Sequence, residues 1–183
     1  VYARMVLPKD EKKIPVIFHF HGYMARCWDW VDMLPYTAAG YGVVSMDVRG
    51  QSGYSVDGRG LVRGNTVKGQ IIRGAVEGPD NLFFKDVYLD IYSLIEIVAG
   101  LDCIDGENLC SYGGSQGGAL ALVAAALNPR IKKTVALYPF LSDFRRVLEI
   151  GNTSEAYDEL FRYFKFHDPF HETEDQIMET LSY

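Results

Sequence analysis

Six consecutive residues, Gly113-Gly114-Ser115-Gln116-Gly117-Gly118, carry the clearest chemistry in the chain. They contain Gly-x-Ser-x-Gly, the spacing that lets a serine hydroxyl stand clear of a sharp turn. Before it, Asn108-Leu109-Cys110-Ser111-Tyr112 is short and apolar enough for a buried strand. After it, residues 119–127 are strongly helix-forming and stop at Asn128-Pro129. Strand, Gly-x-Ser-x-Gly and helix together are the context of a nucleophile elbow. Its glycines tolerate the backbone angles and the close strand-to-helix approach, and a helix N-terminus suits a developing anion. Ser115 is the candidate nucleophile. The plainer alternative is an ordinary serine in a glycine-rich turn.

Such a serine needs a base, a group to orient that base, and two N–H donors for the tetrahedral intermediate. Gln116, directly after the serine, is placed to give one donor through its backbone. His21-Gly22-Tyr23 follows an apolar strand at the right point in the chain order, and the Tyr23 N–H is the candidate for the other. His19-Phe20-His21 could alternatively ligate zinc, since alternate strand residues share a face. Nothing nearby offers a third ligand, so no metal and no cofactor are expected. The histidines after Ser115 are His167 and His171, within Phe166-His167-Asp168-Pro169-Phe170-His171-Glu172. That stretch is polar and helical and lacks a strand end, so a structural or interface role is expected for His171. The strands that should carry acid and base do not occur, and the chain reads as an incomplete hydrolase.

The elements that must position these residues alternate between strand and helix. Residues 16–21 and 42–47 suit buried parallel strands, and 28–39 suit a short helix. Between 82 and 98, Phe84, Val87, Tyr88, Ile91, Leu94, Ile95 and Val98 form an amphipathic stripe. Residues 134–138 suit one more strand. The alternation predicts an α/β fold with a mostly parallel sheet between helices. Residues 48–80 are glycine-rich and aperiodic and read as a long loop, of the kind that is usually functional or disordered. Beyond Pro139 the chain turns helical, and Thr173-x-x-Gln176 reads as a capping box. The expected organisation is one partial domain over 1–183, with a core at 1–142 and a helical segment at 143–183.

At 183 residues, 48% hydrophobic and 23% charged, the composition is that of a soluble globular domain. A net charge of −6 argues against a nucleic-acid partner, and the apolar runs are too short to span a bilayer. Cys27, Cys103 and Cys110 are widely spaced and odd in number, so reduced thiols are expected.

The chain resembles the acetyl xylan esterase and cephalosporin-C deacetylase family, the seventh carbohydrate-esterase family. The likeness runs through Phe20-His21-Gly22-Tyr23, Met46-Asp47-Val48-Arg49-Gly50-Gln51, Gly64-Asn65-Thr66 and Ile71-Ile72-Arg73-Gly74. It continues through Gly114-Ser115-Gln116-Gly117-Gly118, Tyr138-Pro139-Phe140-Leu141-Ser142-Asp143 and Phe166-His167-Asp168-Pro169. One departure is Ser52, where many members carry another glycine.

The resemblance implies an α/β-hydrolase fold, incomplete in this chain, and an acetyl esterase that works through an acyl-enzyme. It implies Ser115 as nucleophile, Tyr23 and Gln116 as oxyanion-hole donors, and Arg49 and Gln51 as residues that shape the site. Small acetylated sugars and cephalosporin C are the implied substrates, in a cytoplasmic hexamer. Family members carry their Asp and a Gly-His-Glu histidine beyond the counterpart of Tyr183, so this chain alone is expected to be inactive. A general esterase or peptidase-like hydrolase, or a non-catalytic fragment, are the alternatives.

Overall fold

A computed structural model describes residues 1–9, 13–58, 70–151 and 155–182. The chain divides into two compact units, Val1–Asp57 with Tyr88–Phe140, and Gly58–Val87 with Leu141–Tyr183.

The first unit is built on a five-stranded sheet. In chain order its elements are β1 (Ala3–Val6), β2 (Ile14–Phe20), α1 (Trp30–Ala38), β3 (Gly42–Met46), α2 (Phe83–Ala99, which begins in the other unit), β4 (Ile104–Gly114), α3 (Gln116–Leu127) and β5 (Ile131–Leu137). The sheet order is β1-β3-β2-β4-β5. Strands β3, β2, β4 and β5 pair in parallel, as the strand–helix alternation predicts. The exception is β1, which runs antiparallel to β3 from Ala3↔Met46 to Val6↔Val43. Ala-Arg-Met-Val is too short and too mixed to announce a strand; β3 supplies the template.

The buried strands explain themselves chemically. Every position of β3 is buried, and Val16, Phe18 and Phe20 of β2 are almost wholly so. A parallel strand covered on both faces has to be apolar throughout. Helix α2 buries Phe84, Val87, Ile91, Ile95 and Val98, the core of the predicted stripe, while Tyr88 and Leu94 are only partly covered. Register then sets the site. Phe20 pairs with Gly113, and Gly114 with Leu137, so β2, β4 and β5 end side by side. The turns that leave these ends share one edge of the sheet, where open α/β sheets bind ligands.

The second unit contains 3₁₀ turns at Pro79–Asn81 and Glu155–Tyr157 and the helices α4 (Phe144–Ile150), α5 (Asp158–Phe166) and α6 (Glu174–Thr180). Ile71 and Ile72 are fully buried, and the Ile71 N–H donates to the buried Glu159 carboxylate. The predicted capping box at Thr173 is not made. Thr173 precedes α6, but its Oγ1 donates to Asp168 Oδ2 at 2.7 Å and leaves the helix end uncapped by that side chain. A carboxylate acceptor makes a stronger hydrogen bond than a neutral partner. Of the predicted loop, residues 59–69, with the motif Gly64-Asn65-Thr66, lie outside the described residues. Among the described residues, no helix is long and apolar enough to cross a membrane.

Candidate active site

Ser115 lies between β4 and α3 at φ 55°, ψ −122°, a backbone region that non-glycine residues rarely occupy. Four hydrogen bonds hold it there. Its N–H donates to Leu137 O at 3.0 Å, and its carbonyl accepts from the N–H groups of Gly118 (2.9 Å), Phe140 (3.0 Å) and Ala119 (3.2 Å). The flanking glycines make room. A Cβ on Gly113 would stand 2.2 Å from Gly117 O, and one on Gly117 only 1.9 Å from Phe20 O. The Gly-x-Ser-x-Gly spacing is thus a steric requirement of this turn. The same segment lays the exposed Tyr138 ring beside Gly114, with its Oη 3.2 Å from where a Cβ would be.

Gln116 opens α3. As a first-turn residue its N–H has no intrahelical acceptor, and it sits at the positive end of the helix. Tyr23 leaves β2 in a turn closed by Ala25 N–H donating to Gly22 O at 3.1 Å. Its ring packs 5.4 Å from that of Phe140, the residue whose N–H binds Ser115 O. Tyr23, Ser115, Gln116 and Phe140 therefore meet at the ends of β2, β4 and β5.

The loop after β3 supplies the predicted shaping residues. Arg49 makes a two-pronged ion pair with Asp90 on α2, Nε to Oδ2 at 2.7 Å and Nη2 to Oδ1 at 2.6 Å. The sequence offered no signal for Asp90, which looks like any acidic residue on a helix. The Gln51 amide pairs with that of Gln116, Nε2 to Oε1 at 2.8 Å, and its Oε1 accepts from Met24 N–H at 3.0 Å. Asp47, fully buried, accepts from the N–H groups of Cys27 (2.6 Å) and Tyr54 (2.7 Å) and ties these loops to β3. Burial, with the Asp47 carboxylate, pushes the Cys27 thiol up to about 11. Cys27, Cys103 and Cys110 are all free.

The histidines of this unit are structural. His21 Nε2 accepts from Val48 N–H at 2.9 Å, so the ring proton sits on Nδ1 and goes to Gly22 O at 2.8 Å. Burial holds His21 below the usual imidazole range. His19 bonds Ser45 Oγ at 2.7 Å and stacks on Trp28 at 3.6 Å. Burial, with His21 beside it, lowers His19 to about 3. An imidazole that reluctant to take a proton is no general base near neutral pH. Among the described residues, no cluster of three or more His, Cys, Asp or Glu forms a metal site. In the other unit, His171 Nδ1 bonds Glu174 at 2.5 Å and its ring stacks on Phe164 at 4.5 Å. His167 stacks on Tyr163.

Residues 1–183 match the acetyl xylan esterase (AXE1) family over their whole length. Acetyl xylan esterase 1 from Thermoanaerobacterium sp. JW/SL YS485 superposes with a TM-score of 0.92 at 45% identity, over 98% of this chain and 56% of that one. The acetyl xylan esterase from Paenibacillus sp. R4 gives 0.92 at 35% identity, over 98% and 57%. A curated relative, acetyl esterase Axe7A of Xylanibacter ruminicola, is 40% identical over 78 residues, 43% of this chain and 18% of its own. The chain thus spans little more than half of the solved relatives. With the mixed five-stranded sheet flanked by helices, these likenesses establish the α/β-hydrolase fold.

Proposed function

Because the chain belongs to the acetyl xylan esterase family, we propose that it is the nucleophile-bearing part of a serine hydrolase that removes O-acetyl groups from small acetylated sugars. Ser115 Oγ attacks the acetyl carbonyl carbon while a base takes its proton. The carbonyl oxygen becomes an oxyanion and receives the Gln116 and Tyr23 N–H groups. Collapse breaks the C–O bond to the sugar, the base returns the proton to the leaving hydroxyl, and acetyl-Ser115 remains. Water then repeats the sequence, releasing acetate and free Ser115. His19 and His21 are too committed to serve as that base. We assign the base and its acid partner to the counterpart of the further length that the solved relatives possess.

The observation that carries this reading is the strained Ser115 at the start of α3, clamped by Leu137 and Phe140. Acetylated xylo-oligosaccharides and cephalosporin C, a hexameric assembly and a cytoplasmic setting belong to the same proposal. In the full-length protein, Ser115→Ala is expected to lower acetate release at least about 10⁴-fold, as removal of a triad nucleophile does elsewhere. Acetate release within tenfold of wild type would refute the assignment. Preference for longer acyl or peptidyl substrates would retain the serine and refute the deacetylase.

A further inference from the structure

Two neighbouring side chains on the loop after β3 grip the turn after β2 by both backbone groups of one residue. Met24 N–H donates to Gln51 Oε1 at 3.0 Å, and Met24 O accepts from Ser52 Oγ. Met24 sits at φ 60°, left-handed territory that is unfavourable for a residue with a side chain. Tyr23 and Met24 are the two central residues of the Gly22–Ala25 turn. A turn bent against its preference relaxes unless something outside it holds it.

The same Gln51 amide reaches the elbow. A backbone N–H can only donate, so the Gln51 atom facing Met24 is the carbonyl oxygen, and its NH₂ points elsewhere. That NH₂ donates to Gln116 Oε1 at 2.8 Å. Gln116 Nε2 returns a bond to Gln51 Oε1 at 3.1 Å and reaches His21 O at 3.4 Å. Gln116 is wholly buried, so its amide has no water to turn to. One amide therefore bonds the neighbour of Tyr23 and the side chain of Gln116 at once.

We propose that Gln51 and Ser52 are positioning residues that fix the separation of the Tyr23 and Gln116 N–H groups; this rests on the assignment of those groups as the oxyanion hole. Gln51 joins the two segments. Ser52 keeps Met24 from relaxing to negative φ. Neither side chain is assigned a contact with substrate. Donors placed for the tetrahedral oxygen bind it better than the ground-state carbonyl, so their misplacement is read in kcat and leaves KM nearly unchanged.

The test uses the full-length protein. Gln51→Leu keeps the bulk and removes the amide, and is expected to lower kcat about 30-fold or more with KM within about threefold, the size of effect a small misalignment produces. Gln51→Glu still accepts from Met24 but sets an oxygen against Gln116 Oε1, and should fall between. Ser52→Ala, at an exposed position, should lose about threefold in kcat with an unchanged melting temperature. A boronate mimic of the intermediate should weaken in step with kcat/KM while acetate affinity stays constant; a general structural defect would move both. Should Gln51→Leu fail to fold, Gln51→Glu and Ser52→Ala decide the matter. Wild-type kcat in every variant that folds overturns the proposal. A wild-type enzyme that a fluorophosphonate does not label at Ser115 overturns the nucleophile assignment first, which separates the two failures.

Discussion

Gly117 has no space for a side chain. A methyl group there would stand 1.9 Å from Phe20 O, on backbone that a parallel sheet holds in place, and 3.0 Å from the O of His21, the residue that follows the strand. Gly117→Ala must therefore part the start of α3 from the end of β2. It is expected to destabilise the fold by at least about 3 kcal/mol, or to prevent folding, which denaturant unfolding measures. Leu122→Ala, on the same helix but half-exposed, should cost far less. The elbow was legible because its glycine spacing and flanking patterns lie within twenty residues, although the Leu137 and Phe140 contacts that hold it come from outside that span. The partners of Arg49 and Gln51 were not. Asp90 stands 41 positions from Arg49, and Gln116 stands 65 from Gln51. No local pattern encodes which distant polar group a side chain will meet.

Among the elements, the loop after β3 and helix α2 are joined by the Arg49–Asp90 pair. Both oxygens of the carboxylate are used, and both side chains are largely removed from water. Replacing one partner leaves a charge with little solvent to receive it. Asp90→Asn is expected to cost about 2 kcal/mol, below the 3–5 of a fully buried pair because both groups keep some solvent. Thermal unfolding of the variant beside wild type checks it; no shift in Tm would mean that solvent replaces the pair. Apolar periodicity made α2, β2 and β3 readable, since burial on one or both faces imposes it. Strand β1 escaped because its pairing with β3 creates it, and the Thr173 box failed because Asp168 competed for the hydroxyl.

For the molecule as a whole, His19 and His21 make the fold sensitive to acid. Both are neutral when folded and below the ordinary range because burial penalises their charge. The unfolded chain binds protons near 6.5 and the folded chain resists them, His19 down to about 3. Stability is accordingly full above about 6.5 and declines as pH falls through that window, by about 1.4 kcal/mol per pH unit for each histidine titrating. Urea unfolding between pH 7.5 and 4.5, followed by tryptophan fluorescence, should show the decline, and His19→Gln should flatten it. An unchanged slope in that variant would remove His19 as the cause. Strand β5, at the edge of the described sheet with Val135 and Leu137 exposed, bears on synthesis as well as on stability. Ser115 owes its bend to Leu137 and Phe140, both more than twenty positions later in the chain. A ribosome makes the motif first and the clamp afterwards. Until β5 docks, the emerging polypeptide lacks the contacts that hold Ser115 in its strained bend, so the geometry of the elbow is completed only after synthesis has passed Phe140.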